Sequence, residues 1–186
     1  MIVLIAVYEI LLHGFQFYRL NTAMNDAQRS ALFLLASFNT NLQNAQIGLT
    51  YPDPSSPSSL GISYVDPFDD SGKTQFDNVQ KVILWQAYGI YYLNPNGDVR
   101  LIRVKINPPT STPLAPQIVA PSQMIPSSFV GQNTGKLIAQ NISRLSFLFF
   151  PTNATKGFYV ITVESGQKGN PDNYWIRVQT SVFPRN

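Results

Sequence analysis

The chain has 186 residues, 44% of them hydrophobic and 12% charged, with 14 prolines, 11 glycines, one histidine and no cysteine. That length and apolar content fit one domain with its own core and exclude a disordered polymer. Disulfides, thiol nucleophiles and Cys-based zinc sites are excluded too, and the net charge of +3 is scattered, with no basic patch that would point to nucleic acid.

The segment Met1–Leu12, MIVLIAVYEILL, is apolar from its first residue and interrupted only by Glu9. It has neither the positive start nor the small-residue cleavage site of a signal peptide. The run passes His13 and Gly14, continues through Phe15, Phe17 and Tyr18, and stops at Arg19. Aromatic residues followed by a cation suit the headgroup end of a membrane-spanning helix, which needs about 20 apolar residues. Glu9 is the exception inside it, since a carboxylate in hydrocarbon costs several kcal/mol and tends to find a partner.

Beyond Arg19 the apolar residues fall at spacings of four and three: Leu20, Met24, Ala27, Ala31, Leu35, Phe38, Leu42 and Ala45. That is one stripe of an amphipathic helix. The spacing predicts a single helix from Met1 to about Ile47, about 70 Å long at 1.5 Å per residue, stopped by Gly48 and Pro52. Its first half, apolar all round, belongs in lipid or a helical bundle. Its second half packs on a globular part through Leu20, Met24, Ala27, Ala31, Leu35, Phe38 and Leu42. The organisation expected is a membrane or filament-core helix over residues 1–19 and a single α+β domain over 20–186, with the sheet occupying about 60–186.

Pro52–Ser59, PDPSSPSS, reads as a loop. Strands are expected at Val79–Ala87, Ile90–Leu93 and Val99–Ile106, the last two joined through Asn94-Pro95-Asn96-Gly97-Asp98, where Asn-Gly supplies a hairpin turn. Asn107–Ser128 is proline-rich and predicts a long surface excursion. Three more strands are expected at Ile142–Phe150, Phe158–Glu164 and Tyr174–Phe183. In the last, Ile176, Val178, Thr180 and Val182 alternate with polar residues, as in a sheet with one buried face. The expected fold is therefore a long helix laid on a mostly antiparallel sheet.

Catalytic chemistry is not visible. The lone His13 lies in the apolar segment, which leaves no Ser-His-Asp arrangement for the rest of the chain, and no cofactor motif is present. Asp66, Asp69 and Asp70 with Ser71 and Gly72 carry oxygen ligands that calcium could use, but their spacing does not follow the EF-hand loop, and they read as an acidic turn. Asn141-Ile-Ser143 and Asn153-Ala-Thr155 match a glycosylation sequon too short to carry weight.

The opening Met1-Ile2-Val3-Leu4-Ile5-Ala6-Val7 resembles the interior of the amino-terminal motif of type IV prepilins, and Phe17–Gln46 resembles the helix that continues from it in that family. At the other end, Asn141-Ile-Ser-Arg-Leu-Ser-Phe147 and Val178-Gln-Thr-Ser-Val-Phe-Pro-Arg-Asn186 resemble the closing strands of larger minor pilins and of the type II secretion minor pseudopilin J. The family's cleavage glycine, the phenylalanine after it and the nearby glutamate would fall ahead of Met1, so the resemblance implies a sequence that begins inside the helix. Glu9 does not replace that glutamate, because no glycine precedes it at the required spacing.

The resemblance implies a non-enzymatic structural subunit. It would reside in the inner membrane as a single-pass protein with a periplasmic or extracellular domain, and assemble near the tip of a type IV pilus or type II secretion pseudopilus. Its partners would be other pilin or pseudopilin subunits, a prepilin peptidase and an assembly platform. Ile2, Leu4, Ile5, Glu9, Ile10, Leu11, Phe15 and Phe17 would line the membrane or filament-core helix. The alternative is a membrane-tethered periplasmic binding module that does not polymerise and contacts its ligand through the proline-rich excursion.

Overall fold

The computed structural model describes residues 2–54, 58–119, 123–153, 156–166 and 176–184, with side chains from Val7 onward. Helix α1, Ile2–Leu42, has 41 residues and a length of about 60 Å. It stops short of the expected Ile47. Asn39, Asn41 and Asn44 crowd its end, and such side chains compete for backbone groups; the Asn44 amide donates to the Thr40 carbonyl. After that turn Ala45 is still buried, and a short 3-10 turn, Ile47–Leu49, leads out.

Two antiparallel sheets follow. The strands are β1 (Thr50–Pro52), β2 (Gly61–Asp66), β3 (Gln75–Phe76), β4 (Ile83–Leu93), β5 (Val99–Thr110), β6 (Lys136–Ala139), β7 (Ile142–Pro151), β8 (Gly157–Ser165) and β9 (Ile176–Val182). Among the described residues the larger sheet has the order β1-β2-β4-β5-β6 with β3 paired to β4, and the smaller has the order β7-β8-β9.

The two strands expected at Val79–Ala87 and Ile90–Leu93 are one strand, β4, which begins only at Ile83. Ahead of it the Asp77 carboxylate accepts from the N–H groups of Val79 and Gln80. That side-chain turn removes residues 77–82 from the strand. The expected hairpin forms, with the Asn94 N–H donating to the Asp98 carbonyl and Gly97 at φ +87°.

Strand β5 runs on through Pro108 and Pro109 to Thr110. Its pairing to β4 skips from Lys105 to Thr110, so the prolines sit where no ladder N–H is needed.

The larger sheet is covered on both faces. Toward α1, Ile62, Tyr64, Tyr91 and Val99 join Ala31, Leu34, Leu35, Phe38 and Leu42, together with Leu145, Ile161 and Val163 of the smaller sheet. On the opposite face Val65, Trp85, Tyr88 and Ile90 form a second cluster with Ile102, Val104 and Ile106 and with Val119, Met124 and Phe129. A register shift between Trp85 and Ala87 lets Trp85 join Tyr88 on that face.

The proline-rich stretch is therefore not a free surface excursion. It roofs the outer face of the sheet, with Pro116 and Pro126 buried, because that face would otherwise expose two aromatic rings and several β-branched residues. Tyr88 and Tyr92 fasten it, donating to the carbonyls of Leu114 and Gln132 at 3.0 and 2.6 Å.

Polar contacts at Tyr91 tie α1 to the larger sheet. The Tyr91 hydroxyl meets the Ser37 hydroxyl and accepts from the Asn41 amide. Phe38 packs edge-on against the same ring at a centroid distance of 4.6 Å.

Candidate functional site

The residues expected to pack on the sheet and those expected to stand free of it divide along α1. Of the expected sheet-packing set, Ala27, Ala31, Leu35, Phe38 and Leu42 are buried, and Leu20 is half-buried. Met24 is not packed as expected: it is 38% exposed. It fits the spacing of the stripe, but it lies a turn ahead of the first fully covered residue, Ala27. Leu34 completes the buried face at 0% exposure and was absent from the expected set.

Ahead of Leu20 the helix stands clear of both sheets. Ile10, Phe15, Phe17 and Tyr18 are 71%, 69%, 67% and 70% exposed, and Val7, Tyr8, Leu11 and Leu12 are exposed as well. Ile2, Leu4 and Ile5 belong to the helix, but their side chains lie outside the described ones.

The first half of α1 is not apolar all round. Glu9, His13 and Gln16 are four and three residues apart, so they share a face. Continued by the same steps, that face becomes Leu20, Ala27, Ala31, Leu34 and Phe38, the stripe that meets the sheets. The polar strip therefore lies on the domain side of the helix. Val7, Leu11, Phe15 and Tyr18 lie on the far side, which continues past the first sheet contact as Leu32 and Phe33, 47% and 58% exposed.

Among the described residues no helix is long and apolar enough to cross a membrane. Glu9, His13, Gly14, Gln16 and Arg19 dilute the run within eleven positions of the sequence, and the spanning first half expected above is not seen there. Nor does any ion pair within the described residues involve Glu9, Arg19, Asp26 or Arg29.

The acidic turn is occupied by the protein's own donors and cations. Asp66 pairs with Arg103 at 3.0 Å and Asp70 with Arg103 at 2.6 Å, and Lys105 also meets Asp70. Asp69 accepts from the Ser71 hydroxyl and from the N–H groups of Ser71 and Lys73. The Ser71 hydroxyl, helped by the Lys73 N–H, pulls the Asp69 carboxyl down to about 2. No group of three metal-ligating side chains is assembled among the described residues.

A second exposed apolar area, not foreseen from sequence, lies on the smaller sheet. Phe150 stands opposite Phe158 with ring centroids 5.4 Å apart, and Phe158 meets Phe183 at 5.1 Å. Leu148, Phe150 and Phe183 remain exposed. Phe149, which alternates with Leu148 and Phe150 along the strand, is exposed as well.

Comparison of the chain with protein-family models, with curated proteins and with solved structures finds no match.

Proposed function

We propose that this chain is a minor pilin or minor pseudopilin, a structural subunit that joins a type IV pilus or type II secretion pseudopilus through the first half of α1. One observation carries the reading: a single helix is buried in its own domain from Ala27 onward, yet holds out eight large apolar side chains between Val7 and Tyr18. An apolar surface of that extent on a water-facing element marks an interaction site. Helices are the natural cover, because close apolar packing between helices works both in lipid and in a filament core.

In this reading the helix rests against inner-membrane lipid before assembly, then packs among pilin or pseudopilin helices, while the sheets face outward. Repeated contacts between unlike patches extend a helical filament without closing a ring. The peptidase and assembly platform follow from the family resemblance. In the alternative, a membrane-tethered binding module, the ligand would meet the proline-rich stretch, where Leu114 and Ile118 are exposed.

The test is Leu11→Asp. A charge there should remove the subunit from sheared surface filaments, or abolish secretion, while circular dichroism of the protein stays unchanged, since Leu11 touches no part of the sheets. Normal incorporation of a correctly folded Leu11→Asp chain refutes the proposal.

A further inference from the structure

We infer that β7 pairs edge to edge with the β7 strand of a second copy of this chain, antiparallel and with Leu148 opposite Leu148, so that the two smaller sheets join into one. The pairing does not involve the first half of α1 and stands whether or not the subunit joins a filament.

Strand β7 ends its sheet, and the direction of its free backbone groups follows from one residue. The Leu145 carbonyl accepts from the Ser59 N–H at 2.9 Å, and the Leu145 N–H donates to the Ser58 hydroxyl. Leu145 therefore turns its backbone away from β8. Along an antiparallel strand that direction alternates, so Phe147 and Phe149 also point their N–H and C=O groups outward. No backbone hydrogen bond reaches these groups from the described residues.

Such an edge is ordinarily blunted by a charge, a proline or a bulge. Here the register shift between Ile142 and Arg144 and the proline at 151 both lie outside the open stretch, and Ser146–Phe150 carries no charge. The opposite end strand, β9, does carry such protection, with Arg177 and Gln179 exposed along it.

The strand that fits this edge is another β7. The opening is two outward-facing residues long, closed at Leu145 by Ser58 and Ser59 and at Pro151 by the missing N–H. With Leu148 on a two-fold axis, Phe147 of each copy meets Phe149 of the other, and the two pairs use every outward N–H and C=O of all four residues. A partner strand that ran on would collide with Ser58 and Ser59. Strand β7 stops in time: Phe150 opposite Ser146 is its last rung, and beyond Pro151 the Thr152 N–H donates back to the Lys156 carbonyl, turning the chain toward its own β8.

The side chains agree with that register. Phe149, 40% exposed, would lie beside Phe147 of the second copy, a ring that packs edge-on against Phe38 at 5.4 Å in its own domain. On the other face Leu148, 56% exposed and opposite Val160, would gain its own counterpart as a neighbour. The contact uses the same patch on both copies, so it closes at two.

The chain has no cysteine, so single cysteines report the pairing in the full chain, held in detergent with micelles in excess and equilibrated in a glutathione redox buffer. Leu148 and its counterpart form a non-hydrogen-bonded pair with α-carbons about 4.5 Å apart, within disulfide reach. Phe150 lies about 14 Å from its own counterpart, four residues along at 3.4 Å each. Leu148→Cys should therefore give at least tenfold more disulfide-linked dimer than Phe150→Cys. A mixture of Ser146→Cys and Phe150→Cys chains should give the mixed dimer at least tenfold in excess of either self-dimer, a readout that holds even where Leu148→Cys fails to fold. Comparable dimer from folded Leu148→Cys and Phe150→Cys overturns the inference, as does a mixture that stays monomeric. The assembly role is decided separately, by Leu11→Asp.

Discussion

Gly89 sits in the middle of β4, paired to Tyr64 on one side and Arg103 on the other. A β-carbon there would lie 2.2 Å from Cζ of the Tyr64 ring, so the glycine makes room for an aromatic side chain lying flat across the strand. Burial holds the Tyr64 hydroxyl well above the ordinary tyrosine range, which keeps it neutral inside the core. Gly89→Ala should therefore cost about 1–3 kcal/mol by overpacking, read from urea unfolding of the full chain. In a Tyr64→Leu background the same substitution should cost much less, because the two effects share one volume; an equal cost in both backgrounds would disconnect Gly89 from that ring. This residue also explains a misreading. A glycine inside an apolar run weakens a strand signal, and the sequence divides there into two strands where the structure has one. The ring that fills the gap comes from β2, a segment whose Gly and Asp ends obscure its strand character.

Helix α1 was legible in its faces and not in its reach. Spacings of four and three identify which side of a helix is apolar, but they carry no information on how far the partner extends, so Met24 and Phe38 look alike in sequence. The structure separates them: Phe38 is fully buried and Met24 is 38% exposed. Phe38→Ala should cost about 3–5 kcal/mol, and Met24→Ala should stay within about 0.5 kcal/mol of the parent, both measured by chemical denaturation. A large loss from Met24→Ala would mean that the sheets reach a turn farther up the helix. Among the strands, β9 followed its alternation faithfully, since Ile176, Val178, Thr180 and Val182 are covered while Arg177, Gln179 and Ser181 are exposed. Strand β6, Lys136–Ala139, went unread because four residues are too few to show a period. The roof over the outer face was hidden by its prolines: composition reports the absence of regular structure, not the absence of burial. The outward face of α1 was legible in principle, as the second set of four-and-three spacings from Val7 through Tyr18, but the prominent stripe toward the sheet masked it.

At the scale of the whole molecule, the fold is held by residues that begin at Ala27, and nothing before Leu20 contributes a buried side chain among the described residues. A chain beginning at Leu20 should therefore melt cooperatively within about 4 °C of the full protein, the shift that about 1 kcal/mol produces in a domain of this size. Differential scanning calorimetry checks this, and loss of a cooperative transition would show that the first half of α1 is part of the fold. The two halves are nevertheless not independent in direction. Between Ile2 and Leu42 the helix is continuous, contains no proline, and has Gly14 as its single glycine; sharp kinks arise chiefly at prolines, π-bulges or inserted side chains. The rod therefore has no swivel. Whatever clasps its free end also sets the bearing of the sheets some 30 Å away at 1.5 Å per residue, so a twist applied to the bare end is delivered as torque at the Ser37–Asn41–Tyr91 clamp, and the angle at which successive domains stand off their shared axis is written in the stiffness of one helix.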